Sequence, residues 1–165
     1  MDSGQLLYAC HQDVHVLRLV GDIRYPLAPF LKQFVEQLFK LGPVKGMLID
    51  LDAAASIDST NLGQIARIAN RLEARGEPRA TIVSSREDIT EVLLSMGFSD
   101  FFDIVEDRPT PGSIRTTQID ATRPPSDDLA RVMLEAHEVL MGMNQYNQDQ
   151  FRDVVALLKR DIGDT

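Results

Sequence analysis

Between residues 5 and 106 the chain alternates short apolar runs of strand length with stretches whose apolar residues recur every three or four positions. That alternation confines it to an α/β layer structure. Leu6–Ala9 and Val14–Val20 flank His11-Gln12-Asp13, which reads as a hairpin or tight bend, and Gly21 ends the second run. From Leu27 to Leu41 the residues Leu27, Phe30, Leu31, Phe34, Val35, Leu38 and Leu41 form one helical face, stopped by Gly42-Pro43. Met47–Leu51 is a nearly continuous apolar run, suited to a central strand covered by helices. A small-residue loop, Asp52–Asp58, leads to a second helix with Ser59 as its N-cap and Leu62, Ile65, Ala66, Ile68, Ala69 and Leu72 inward. Ala80–Val83 reads as a strand. Ser85 with Asp88 resembles a capping box for a third helix ending at Gly97, and Phe101–Val105 makes a last strand. The predicted order is β-β-α-β-α-β-α-β, with a largely parallel sheet after an antiparallel start.

Four of the eight prolines fall within Arg108–Pro125, a segment without strand or helix periodicity. It divides the chain into a body, residues 1–107, a Pro-rich linker, 108–125, and a tail, 126–165, predicted as a helical hairpin. Ser126 is the predicted cap of the tail's first helix, which lines up Leu129, Val132, Met133, Ala136, Leu140 and Met143. A second helix from about Gln148 carries Phe151, Val154, Val155, Leu158 and Ile162. The hairpin either packs on the body and extends its core, or offers a Met-bearing surface to a second protein partner or to a second copy.

Composition excludes several classes. The formal charge is −8, and residues 1–107 carry most of it, with sixteen acids against ten bases. Binding to nucleic acid by counterion release needs clustered Lys and Arg, and anionic membranes repel an acidic surface. Apolar runs no longer than five residues cannot span a bilayer. The start of the sequence shows no basic segment followed by an apolar core, so the expected location is cytoplasmic. Cys10, the lone cysteine, is expected as a small core residue.

Candidate chemistry is sparse. Asp50-Leu51-Asp52 imitates a strand-end phosphotransferase motif, but Ala54 stands where that chemistry needs Thr or Val, so an enzyme is not expected. His11, His15 and His137 are scattered without metal spacing, and no cofactor is implied. His137 is expected half-buried or at a solvent edge on a packing helix. The junction at Asp58-Ser59-Thr60 is different. A phosphoryl group on a serine there would meet the positive end of a helix and its unpaired N–H groups. It would also place about two negative charges in a nearly neutral surface of Ala53, Ala54, Ala55, Ser56 and Thr60.

Leu48-Ile49-Asp50-Leu51, a short loop, then Ile57-Asp58-Ser59-Thr60-Asn61-Leu62-Gly63 resembles the phosphorylation motif of STAS-domain anti-sigma factor antagonists. Arg18–Ile23 resembles that family's second strand and the turn after it. Leu93–Phe98 and Phe101–Val105 resemble its third helix and final strand. The resemblance implies a STAS-like mixed sheet with helices, here with a C-terminal helical extension like that of members with a second regulatory partner. It implies an anti-sigma factor as partner, a serine kinase and a PP2C-type phosphatase acting on the chain, and Ser59 as phosphosite, with Ser56 the second choice. The partner-binding set it implies is Asp22, Arg24, Ser56, Asp58, Ser59, Thr60 and Asn61. Two positions depart from the pattern: Asn61 replaces the usual Gly, and Arg24 the usual Asp.

Overall fold

A computed structural model describes residues 4–107, 115–121 and 128–163. Strands β1 (Gln5–His11) and β2 (Val14–Ile23) form an antiparallel hairpin in full register from Gln5↔Val20 to His11↔Val14. Its two-residue loop, Gln12-Asp13, has φ of 51° and 67°, the left-handed pair whose twist matches that of the strands it joins. A short 3₁₀ turn, Tyr25–Leu27, leads into helix α1 (Ala28–Lys40). Then come β3 (Gly46–Asp50), β4 (Ala54–Ile57), α2 (Ser59–Ala74), β5 (Thr81–Val83), α3 (Glu87–Ser95) and β6 (Asp103–Val105). Among the described residues a two-residue strand β7 (Thr117–Gln118) follows, and helices α4 (Leu129–Met141) and α5 (Gln145–Ile162) form the tail.

The sheet order is β6-β5-β3-β2-β1-β7, with β2, β3, β5 and β6 mutually parallel. The main core gathers Leu6, Leu17, Leu19, Ile49 and Ile82 from the sheet, Leu31, Val35 and Leu38 from α1, Leu62, Ile65 and Ile68 from α2, and Leu140 from the tail. A smaller cluster of Ala9, Val16, Leu48 and Val83 is made by the strand positions between them, as the two-residue period of a strand requires.

Several details correct the sequence reading. Part of the loop predicted over Asp52–Asp58 is strand β4, paired parallel to the far end of β2. The apolar run is too short to announce itself, and a bulge at Gly21, with φ of 82°, redirects β2 from β3 to β4. The cap of α2 is Asp58, whose side chain accepts from the Asn61 amide, and Ser59 is the first helical residue. Helix α3 is preceded by Arg86 with no side-chain cap; Ser85 bonds to Asp52 instead. Cys10 is exposed, because it sits near the turn of the β1–β2 hairpin, beyond the covering helices. Helix α5 starts at Gln145, three residues before the expected Gln148, because Asn144 caps it through the Asn147 amide. Ser126 lies outside the described residues, and the cap of α4 is Asp128. Part of the 108–125 linker also lies outside them; its described part includes β7, which pairs with β1 at Leu7↔Gln118 and Tyr8↔Thr117.

Candidate functional site: the start of α2

The split pairing of β2 builds the site. Asp22 and Ile23 lie beside Ser56 and Ile57 of β4, and the Asp58 amide donates to the Ile23 carbonyl at 3.1 Å. The chain therefore enters α2 from a fixed point on the sheet. Asp58 Oδ1 accepts from both the backbone amide and the side-chain Nδ2 of Asn61, at 3.0 and 2.9 Å. Leu62 N to Asp58 O, at 3.0 Å, is the first bond of the helical ladder, so the Ser59 and Thr60 amides precede it at the positive end of the helix. Asn61 is fully buried behind its cap, which is how the helix start accommodates a side chain where the resembled motif has Gly.

The other candidate residues cluster around this start. Ser56 Oγ donates to Asp22 Oδ1 at 2.8 Å, joining β4 to β2. Arg24 is exposed at the entry to the 3₁₀ turn, with its side chain capping nothing. Thr60 is buried, whereas Asp58 and Ser59 are partly exposed. Asp50, the first acid of the imitated phosphotransferase motif, is buried in an ion pair with Arg18 Nε at 3.1 Å. Asp52 accepts from the backbone and hydroxyl of Ser85, tying the loop after β3 to the one after β5. Both acids thus serve as joints between elements.

Sequence reasoning missed what lies over Ser59. Helix α4 packs along α2, and Ser59 Oγ is 2.8 Å from His137 Nε2. His137 Nδ1 faces the Met133 carbonyl at 2.6 Å. A carbonyl oxygen only accepts, so Nδ1 carries a proton, and in the neutral ring Nε2 accepts from the serine hydroxyl. His137 is only 4% exposed, packed edge-on against Phe151 of α5, which corrects the expectation that it would be half-buried or at a solvent edge. Three further ties hold the hairpin. Glu135 pairs with Lys32 of α1 at 2.8 Å, and Asn144 and Asn147 both donate to the Met96 carbonyl behind α3, at 3.0 and 2.9 Å. Gly63 lies directly beneath Ala136: a Cβ added there would stand 2.6 Å from the alanine's own Cβ. The available sequence signal was the small residue Gly63 opposite Ala136-His137 on an amphipathic helix, but spacing cannot reveal which two helices meet.

Comparison with known proteins places this geometry. The family model described as STAS domain matches residues 5–110. Among solved structures, the chain is similar to the anti-sigma factor antagonist SpoIIAA in its unphosphorylated form, with a TM-score of 0.53 and 15% identity, covering 63% of this chain and 89% of that one. It is similar to the Bacillus cell fate determinant SpoIIAA in its phosphorylated form, with a TM-score of 0.51 and 16% identity over 62% and 92% of the two chains. An anti-sigma factor antagonist from Mycobacterium paratuberculosis aligns with a TM-score of 0.54 and 21% identity, over 64% and 87%. No curated protein matches the sequence. No helix among the described residues is long and apolar enough to cross a membrane. The family match covers the β1–β6 body and the start of α2 while leaving α4 and α5 outside it, and on that match the chain belongs to the STAS domain family.

Proposed function

We propose that this chain is a cytoplasmic anti-sigma factor antagonist that controls release of a sigma factor by partner switching, and that phosphorylation of Ser59 sets the switch. The observation that carries the reading is the position of Ser59. It is the first residue of α2, capped by Asp58 and delivered by β4, where a STAS domain similar to SpoIIAA in both phosphorylation states has its helix start. Without phosphate, the face formed by Asp22, Arg24, Ser56, Asp58 and Ser59 binds the anti-sigma factor, while Thr60 and Asn61, expected in the same set, lie buried and hold the helix start beneath it. With it, about two added charges and three acceptor oxygens disrupt that contact. A loss of about 3 kcal/mol in affinity, roughly a hundredfold, suffices to exchange partners. The chain is then a substrate and not an enzyme: Ser59 Oγ takes the γ-phosphoryl group from ATP on a serine kinase, its proton passes to a base of that kinase, ADP leaves, and a PP2C-type phosphatase returns the hydroxyl by hydrolysis with release of inorganic phosphate. Ser56 is the weaker acceptor because its hydroxyl faces the Asp22 carboxylate, which would repel a phosphate there.

The alternative is a STAS scaffold or ligand-sensing module without a phospho-switch. The bond from Ser59 to His137 favours it, since that hydroxyl is already engaged. Incubation with ATP and an anti-sigma kinase from the same organism, followed by phosphosite mapping, separates the two. Phosphate on Ser59 is expected; phosphate on Ser56 alone overturns the site, and none anywhere favours the scaffold. Ser59→Ala is expected to bind the anti-sigma factor constitutively and Ser59→Asp to bind at least tenfold more weakly, so equal affinities would remove the switch.

A further inference from the structure

We propose that the α4–α5 hairpin is a resident occupant of the partner face of α2, seated where a helix of a partner would bind and closing Ser59 to a kinase while it stays there. Thr60, Asn61, Leu62, Gly63, Gln64, Ile65 and Ala66 are all buried. Seven consecutive residues span nearly two turns, so every side of the helix start is covered. A helix lying on a sheet buries one stripe and leaves the other to solvent. The second cover is α4, and its closeness requires Gly63, since a β-carbon there would overlap Ala136. The face therefore accepts a helix presenting a small residue followed by a hydrogen-bonding side chain, as Ala136-His137 does.

The contacts that hold the hairpin suit reversible seating. Its inner surface combines Val132, Ala136 and Leu140 with discrete polar ties: His137 to Ser59, Glu135 to Lys32, and Asn144 with Asn147 to the Met96 carbonyl. Helix α5 buries only Asn147 and Val155 and leaves Val154 and Leu157 exposed, so α4 makes most of the contact with the body. In the rotamer that bonds to His137, a phosphoryl group replacing the Ser59 hydroxyl proton would stand where His137 Nε2 now stands. The seated hairpin and phosphoserine exclude each other in this geometry, and once added, phosphate keeps the hairpin from returning to the same seat. That a partner helix is what replaces the hairpin rests on the antagonist function proposed above; that the hairpin covers Ser59 does not.

Hydrogen exchange read by mass spectrometry on the full chain tests this with two substitutions. Gly63→Ala is a wedge at the closest approach and improves helix propensity in α2 itself. Glu135→Lys sets two cations together on α1 and α4, and Glu135 is half-exposed, so the change does not enter the core. In both variants segments 129–141 and 58–64 are expected to exchange about tenfold faster than in the wild type, while β3 and β5 keep their protection. Should Gly63→Ala lose the sheet as well, Glu135→Lys supplies the reading. Unchanged protection of α4 in both variants overturns the proposal, and so does opening of α4 with no change at 58–64. With an anti-sigma kinase from the same organism and ATP, Glu135→Lys is expected to be phosphorylated at Ser59 several-fold faster than the wild type; equal rates overturn the closure. Absence of phosphate in either protein sinks the antagonist function and the partner half of the inference, and leaves the covering of Ser59 decided by the exchange data.

Discussion

The Ser59 hydroxyl and the His137 imidazole, seventy-eight residues apart in sequence, meet at 2.8 Å and join the body to the tail. A net coupling of about 1 kcal/mol is expected for such a bond. A double-mutant cycle with Ser59→Ala, His137→Ala and both together, read as the exchange protection of α4, is expected to show it as non-additivity. Additive effects would mean the two groups are neighbours without energetic consequence.

Asp58 supports three donors or ladder partners at once, through its carboxylate to Asn61 and its carbonyl to Leu62. Asp58→Ala removes the carboxylate and leaves the buried Asn61 amide group without that acceptor. A loss of about 1–2 kcal/mol is expected in urea unfolding, with Asp58→Ser recovering the backbone cap but not the bond to Asn61 Nδ2. If alanine and serine prove equally stable, the capping geometry is not what holds this junction.

Asn147 is fully buried and donates to the carbonyl of Met96, the C-cap of α3, across the α3–α5 boundary. Asn147→Ala is expected to loosen the hairpin by about 1 kcal/mol, visible as faster exchange in α5 and unchanged exchange in β1 and β2. A change that spreads equally into the strands would show the hairpin to be one folding unit with the sheet.

His15 Nδ1 and the Tyr8 hydroxyl share a hydrogen bond at 2.7 Å, and the ring is held below its ordinary value of 6.5 by burial, which outweighs the opposing pull of Asp13. The fold thus prefers the neutral ring. Its contribution is fully present above the unfolded value and is lost as pH falls below 6.5 towards the lowered folded value, because the unfolded chain there binds more protons. Stability is therefore expected to decline from pH 7 to pH 5 more steeply in the wild type than in His15→Gln, measured as urea midpoints. Proton NMR titration of the His15 ring, expected to fall below 6.5, checks the cause directly.

Legibility followed the range of the interactions. Helices α1 and α2, the β1–β2 bend and the central strand β3 declare themselves through periodicity and breakers, which act over a few residues. Strand β4 escaped because four residues of mixed burial carry no period, and its existence depends on a bulge at Gly21 thirty-odd positions earlier. At the site, Asp58 and Ser59 were visible as a helix start, though the capping role belonged to the neighbour of the residue expected to hold it. His137 was visible only as an unassigned histidine. Its burial and its bond to Ser59 follow from how two amphipathic helices dock, and a stripe of apolar residues says that a helix packs without saying against what.

Strand β7 gives the seat of the hairpin a further consequence. While Thr117 and Gln118 stay paired with β1, Ala121 is close to a fixed point on the sheet edge, and only residues 122–128 separate it from the start of α4 at Leu129. The start of a released helix then remains within roughly 28 Å of that anchor, the reach of eight fully extended steps. Confinement of that kind corresponds to an effective concentration on the order of millimolar, independent of how much protein is present. Dilution does not free the face of α2, and a molecule arriving from solution competes against a rival held on the same chain, whose local abundance is set by the number of residues between β7 and α4.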